Sequence, residues 1–343
     1  MTNKLTQKPD LDKELLVSII MPTLNEEAYL SKSLSNIINN DFDLKKVELI
    51  IIDGGSKDET ISIVKSFSKK ININLFIYED CSVYKALNIG LSHAKGKYFL
   101  RVDARSLIPK DYIRKTIGHF KNGIQCVGGR QIQFGKTVKS KAIAEVTNSF
   151  IGTGGAKFRI SKKSCYVDSV YLGVYKTDYL RYLGGFEDSS KYVSEDSYIN
   201  YLIRKNKQKV FLDSSIEVKY PAKLSFRDLA KQYFIYGAGR CFIFKKHRKF
   251  TSIRQLIPIL YLMTYFIIFC TSLINPNYFI LSIFLLFLHL FFIVICNISE
   301  IKNLKKLYYK VISNFIIHFC WPIGFIGFFI SPKVHKFIIK ILT

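Results

Sequence analysis

The sequence predicts an α/β fold, a parallel sheet wound with helices and followed by an apolar helical tail that enters a membrane. Three observations predict it. Short strand-like runs, the β-branched Val17 to Met21 and Val47 to Ile52 and a third from Tyr98 to Val102, each end in a small polar cluster. Such runs, flanked by helix-starting residues, read as buried parallel strands each followed by a helix. From Val17 to about Gly129 strand-like and helix-like segments alternate, the pattern of a sheet covered by helices. Beyond Leu256 the chain carries stretches of about 19 residues without a charge, close to the length that crosses a hydrocarbon core.

In chain order, strands are expected near 17–21, 47–52, 73–78 and 97–102. Helix starts follow the first two, marked by Glu26-Glu27 after Asn25 and by Asp58-Glu59 after Ser56, because acids and hydroxyls satisfy free N–H groups at a helix start. Lys136 to Lys163 breaks the alternation, with Gly152-Thr153-Gly154-Gly155 among basic residues, and reads as an inserted, mobile loop region over the site. Asp168 to Tyr175 resumes a strand, Thr177 to Leu183 a short helix, Glu195 to Arg204 a helix and Val210 to Leu212 a last strand.

The chain of 343 residues has a formal charge of +25. Beyond Arg240 stand twelve Lys or Arg and one acid, Glu300. A balance of this kind fits nucleic acid, an anionic membrane or a phosphorylated substrate. Nucleic acid is disfavoured, because the charge accompanies apolar runs and no groove-reading motif. Seven cysteines form no Cys-x-x-Cys pair, so buried small hydrophobes in a reduced cytosolic domain are expected. Residues 1–14 are polar and lack a signal-peptide core, so the first domain is expected to stay in the cytoplasm.

These readings divide the chain into a polar tail (1–15), an α/β domain (16–240), a basic juxtamembrane segment (241–255) and a membrane part (256–343). The membrane part carries apolar helices at 256–274, 278–296 and 311–330. Asn275-Pro276-Asn277 makes the first two a hairpin, and Lys or Arg on both its flanks places the 299–310 loop in the cytoplasm. A full third span would put Lys333, Lys336 and Lys340 outside, against the same rule; the alternative is a dip that returns at Trp321-Pro322. Three spans are the expectation.

Ligands of such sheets sit beyond the carboxyl ends of the strands, where Pro22, Thr23, Asn25, Glu26, Asp53, Gly54, Asp103 and Arg105 lie. Carboxylates and hydroxyls at three neighbouring strand ends make a polar site suited to a nucleotide. Each residue also has a plainer reading. Glu27 and Asp58 suit helix capping, Asn88 suits a helix surface, Arg105 a solvated surface, and Glu195-Asp196 the acids of a first helical turn. Phe226 to Arg240 also reads as an interfacial amphipathic helix, its Arg and Lys set toward the phosphates of an anionic membrane surface.

Six motifs in order carry a resemblance: Met21-Pro22-Thr23-Leu24-Asn25-Glu26, Asp53-Gly54-Gly55-Ser56-Lys57-Asp58, Ala86-Leu87-Asn88-Ile89-Gly90, Arg101-Val102-Asp103-Ala104-Arg105, Gly184-Gly185-Phe186 and Ser194-Glu195-Asp196. With them the chain resembles the inverting family 2 glycosyltransferases of the GT-A nucleotide-sugar fold. Within these it is similar to membrane-attached enzymes of the succinoglycan-biosynthesis type, from about Val17 to Arg240. The resemblance implies transfer of one sugar from a nucleotide sugar, with UDP expected, to a polyprenyl-diphosphate-linked saccharide at the inner membrane. It implies that Asp53 contacts the nucleotide base, that Asn88 faces the nucleotide, and that Asp103 holds Mg2+ or Mn2+ against the diphosphate. Asp196 becomes the base, with Glu195 beside it and Gly185 shaping the acceptor side, while Gln232 and Arg240 stand on the acceptor or diphosphate side. The chain departs from the family's Asp-x-Asp element at Arg105, and it lacks the Gln-x-x-Arg-Trp of processive synthases. A GT-A protein that has become a binding or assembly module is the alternative.

Overall fold

The computed structural model describes residues 15–187, 195–333, 337 and 339. Residues 1–14, Ser194, Lys336 and Lys340, on which parts of the sequence reading fall, lie outside these. The chain divides into two compact units, one formed by 1–132, 161–190 and 195–220, the other by 133–160, 191–194 and 221–343.

In the first unit β1 (Val17–Thr23), α1 (Glu27–Ile38), β2 (Val47–Asp53), α2 (Thr60–Phe67), β3 (Ile73–Ile77), α3 (Val83–His93) and β4 (Tyr98–Arg101) alternate as expected. After α4 (Tyr112–Gly118) comes β5 (Cys126–Phe134), a strand the sequence reading did not separate. Its glycines and glutamines hide the apolar alternation that marks a strand. Between β5 and β6 (Cys165–Tyr166) lie three helices, α5 (Val138–Thr147), α6 (Phe150–Thr153) and α7 (Lys157–Ile160). This corrects the expectation of a mobile loop there. A capping box starts α5, in which the Thr137 side chain accepts from Ser140 N and Ser140 Oγ accepts from Thr137 N. Then follow β7 (Tyr171–Lys176), α8 (Thr177–Tyr182), α9 (Glu195–Lys205) and β8 (Val210–Pro221), the last far longer than the three residues foreseen.

The sheet runs β3-β2-β1-β4-β7-β5-β8-β6. β3, β2, β1 and β4 are parallel, while β7 runs antiparallel to both β4 and β5 and β6 antiparallel to β8. The sheet is therefore mixed, a second correction. All seven β2 residues are buried, as a strand covered on both faces requires. Register places Thr23 directly beside Asp53, and Arg101 beside Ile20. The carboxyl ends of β1, β2 and β4 thus converge, and Pro22 lies just beyond the last β1–β4 pair.

The second unit is built on α10 (Phe226–His247) and α13 (Leu304–Ile330), with α11 (Leu256–Ser272) and α12 (Asn277–Cys296) forming a hairpin. Phe226 meets Tyr309 near the helix starts and Phe244 meets Phe329 near the ends, so α10 and α13 run side by side in the same direction. They approach until backbone touches backbone. A side chain on Gly237 would collide with the Trp321 carbonyl, and one on Gly324 with the Phe234 carbonyl. Ile143, Ala144 and Val146 of α5 share a core with Leu229, Tyr233 and Ile317. Glu145 pairs with Lys306 at 2.8 Å and Lys310 at 3.2 Å, and Glu300 joins both lysines.

Three helices here are long and apolar enough to cross a membrane. α13 continues through Pro322 without turning back, which sets aside a dip at that point. The hairpin meets α13 near its own polar ends, through Tyr261 with Phe319 and His289 with His318. Its far end stands bare, with Leu273 77% and Ile274 87% exposed. Contiguous apolar surface of that extent needs a lipid or protein partner.

Candidate active site

Asp53 organises the end of β2 from a fully buried position. Its carboxylate accepts from Gly55 N (3.0 Å), Ser56 N (2.7 Å), Ser56 Oγ (2.6 Å) and Thr23 Oγ1 (3.1 Å). Gly54 N donates to the Thr23 carbonyl. Asn25, in a left-handed conformation (φ 53°), accepts from Lys57 N with its side chain and donates from its own N to Ser56 Oγ. The first two strand-end loops are therefore latched together, with Thr23, Asn25, Asp53 and Gly54 as parts of the latch. Glu27 and Asp58 serve the helix starts as expected: Asp58 accepts from Thr60 N and Glu27 N, and Glu27 from Glu59 N.

Asn88 is spent on the backbone of Phe186. Its Nδ2 donates to the Phe186 carbonyl at 2.7 Å and its Oδ1 accepts from Phe186 N at 2.8 Å. Gly185 beside it has φ 72°, and a side chain there would meet Asn88 Oδ1 at 2.5 Å, so the turn needs glycine on both counts. Asn88 is thus a clamp on the Gly184-Gly185-Phe186 turn.

The centre of the site is Arg101, a motif residue to which the sequence alone assigns no role. Its position at the end of β4 and its charge among buried strand residues were the available signal. It is buried and holds three carboxylates. Nε donates to Asp103 Oδ1 at 2.8 Å, and Nη1 donates to Glu195 Oε1 at 2.8 Å and Asp196 Oδ1 at 2.5 Å. β4 thereby joins the first turn of α9, bringing Asp103, Glu195 and Asp196 into one cluster. Asp103 also accepts from the Tyr171 hydroxyl at 3.2 Å, which lies 2.7 Å from Ser106 Oγ. Tyr171 precedes Leu172, whose φ of 47° is rare for a bulky residue and breaks the regular run of β7.

Three carboxylates share one guanidinium, leaving an excess of negative charge. Burial is the largest cause pushing the Asp196 carboxyl up, to about 7; Arg101 pulls it down, and Glu195 and Asp103 add to the rise. The Asp196 side chain is 24% exposed, Asp103 25% and Glu195 5%. Asp196 is thus a reachable carboxylate poised near neutrality, as a general base needs. Arg105 is not bare: Nε donates to both Glu26 oxygens, at 3.0 and 2.7 Å, and the guanidinium lies over the Tyr29 ring. Glu26 and Arg105 form a neutral pair at the mouth of the β1 and β4 ends.

Among the described residues no three His, Cys, Asp or Glu are grouped to hold a metal. Asp103 alone offers a partly exposed carboxylate at the expected place, and Mg2+ is commonly held by one or two carboxylates plus substrate phosphates. The donor set therefore fits a cation that arrives with a diphosphate. Gln232 and Arg240 stand on α10 in the second unit, where Gln232 Nε2 donates to the Tyr236 hydroxyl.

Residues 18–182 match the sequence profile of glycosyl transferase family 2. The dolichyl N-acetyl-α-D-glucosaminyl phosphate 3-β-D-2,3-diacetamido-2,3-dideoxy-β-D-glucuronosyltransferase of Methanococcus voltae is 27% identical over 90% of this chain and 95% of its own. The succinoglycan biosynthesis protein ExoA of Rhizobium meliloti is 25% identical over 70% of this chain and 74% of its own. Among solved structures, a mannosyltransferase from Pyrobaculum calidifontis in complex with GDP-Man and Mn2+ superposes with a TM-score of 0.56 at 18% identity, covering 91% of this chain and 87% of that one; this likeness concerns the fold. The fold, the family profile over residues 18–182 and two relatives thus agree: the chain is similar to the family 2 glycosyltransferases, and its sheet domain has the GT-A-like fold.

Proposed function

We propose that the chain moves one sugar from a nucleotide sugar to a lipid-linked saccharide, with inversion, at the cytoplasmic face of the inner membrane. The observation that carries the reaction is the Arg101 cluster, which sets one reachable carboxylate near neutrality beside another at a strand end. Asp196 takes the proton of the attacking acceptor hydroxyl. The bond from the sugar's anomeric carbon to the diphosphate breaks as the bond to the acceptor oxygen forms on the opposite face. Arg101 holds Asp196 and Asp103 at fixed separation, and Glu195 shares the guanidinium charge. The Thr23–Asp53 latch shapes the nucleotide end, and Arg105 with Glu26 flanks it. Asp103 is the residue that would hold a divalent cation, which would offset the charge of the departing diphosphate. A surplus of negative charge around Arg101 supports that reading.

The nature of the acceptor rests on the relatives, one acting on a dolichyl-phosphate-linked sugar and one in succinoglycan biosynthesis. The membrane arrangement rests on packing and charge. α5 follows β5 after only Gly135-Lys136-Thr137, too short a link to cross a bilayer. Lys306 and Lys310, which pair with Glu145 of α5, therefore lie on the catalytic side. α13 lies along α10 and meets the hairpin through Ile259, Tyr261 and His289, while the far end of the hairpin stands bare. This supports two spans, α11 and α12, with α13 in the cytoplasmic interface, and it keeps Lys333 inside.

The test is a screen of purified full chain against UDP-, GDP- and dTDP-sugars, with a polyprenyl-diphosphate-linked saccharide as acceptor. Nucleoside diphosphate release and a heavier lipid-linked product are expected for one donor. Nucleotide binding with no turnover on any acceptor would leave the binding-module alternative instead.

A further inference from the structure

We infer that Arg159 is an anion subsite that receives the phosphate of a lipid diphosphate. The inference rests on the proposal that the acceptor is lipid-linked, and it names the residue of the second unit that holds it. Arg159, on α7, is only 5% exposed. Its one described hydrogen bond, from Nη1 to the Thr147 carbonyl, is long at 3.4 Å, and the guanidinium also lies over the Phe158 ring. Neither partner carries a formal charge. Thr147 is the last residue of α5, so its carbonyl supplies the partial negative charge of a helix end and no more. A buried guanidinium without a carboxylate is costly to keep.

The second unit has no acid left to supply one. Its residues include twenty-two Lys or Arg against three acids, Glu145, Asp228 and Glu300. Glu145 and Glu300 are taken up by Lys306 and Lys310, and Asp228 accepts from Ser225. The charge of Arg159 is therefore uncompensated within a unit of large positive excess. Tyr233 of α10 is near enough for the guanidinium to pull its phenol down, although burial, the larger cause, leaves it raised to about 12. The same unit carries the apolar helices. A ligand with a doubly charged phosphate head on a prenyl chain matches both features, the buried guanidinium by bidentate bonding and the exposed apolar surface by burial.

The probe is farnesyl diphosphate, titrated into detergent-purified full chain, with UDP and phosphatidylglycerol vesicles as parallel arms. Arg159→Gln should weaken farnesyl diphosphate binding at least tenfold while UDP affinity and vesicle binding stay within twofold. Arg159→Lys, which keeps the charge without the fork, should fall between and guards against a variant that does not fold. Unchanged farnesyl diphosphate affinity in both variants overturns the subsite. Equal loss of UDP affinity would reassign Arg159 to the donor side, and loss confined to vesicles would make it a headgroup contact; either also overturns the inference. Because binding is read directly, a chain that binds farnesyl diphosphate through Arg159 yet transfers no sugar would refute the transfer reaction and leave the subsite standing.

Discussion

Arg101 Nη1 and Asp196 Oδ1 stand 2.5 Å apart, and the same nitrogen is shared with Glu195 at 2.8 Å. One donor atom thus serves two carboxylates. Burial, the largest cause, therefore keeps the Asp196 carboxyl raised to about 7 although the Arg101 guanidinium beside it pulls the other way, and Glu195 and Asp103 add to the rise.

Asp196→Asn keeps shape and accepts hydrogen bonds but cannot take a proton. Transfer should slow by about 100- to 10,000-fold while calorimetric affinity for the donor nucleotide is unchanged. A loss under about fivefold, with chemistry limiting, would move the base elsewhere.

The pH profile follows from the same carboxyl. With its titration near 7, kcat/KM should climb about tenfold per unit below that value and level off above it. Arg101→Lys, with a less well-placed cation, should move this acidic limb to higher pH. The folded state holds a proton here that the unfolded chain has released between pH about 4 and 7, so stability from this group falls as pH rises through that window. A limb that stays put in Arg101→Lys would separate Arg101 from the base.

Asp53→Ala removes the acceptor for four hydrogen bonds at once. Each donor left unsatisfied in the interior costs about 1–3 kcal/mol. Both the melting temperature and UDP affinity should fall, measured by thermal denaturation and calorimetry. A lower melting temperature with intact UDP affinity would remove the latch from the donor site.

Excess EDTA should abolish transfer, and Mg2+ or Mn2+ should restore it, with Asp103→Asn raising the concentration needed. Full activity in EDTA would assign the diphosphate charge to basic side chains alone.

Reporter fusions after Lys306 and after Thr343 should both read as cytoplasmic, and one within Asn275-Pro276-Asn277 as periplasmic. A periplasmic reading after Thr343 would make α13 a third span.

The parallel half of the sheet was legible because β1, β2 and β4 are apolar runs that stop at acids and hydroxyls. The antiparallel half was not. β5 carries Gly128, Gly129, Gln131 and Gln133, and β8 alternates only over its second half. Asp103 and Asp196 were found through motifs, but what joins them was not, since the pairing of residues 101 and 196 is fixed by sheet order and leaves no local spacing. The clamp that Asn88 forms on Phe186 was hidden for the same reason: its partner lies 98 residues away. The α5–α7 helices were hidden by glycines that in fact end short helices, as Gly154 ends α6 with φ 55°.

The shared core of α5, α10 and α13 has a consequence in time. Ile143 and Val146 pack against Ile317, which leaves the ribosome long after them. At ordinary rates of synthesis the wait is roughly ten seconds to half a minute. Once β8 has been made, the strands of the sheet can pair while the excursion from β5 still waits for its partner helix, its apolar face open to chaperones or to lipid. Folding of the second unit therefore waits for the synthesis of α13, and a chain halted before Leu304 would carry a finished sheet and an unfinished anchor.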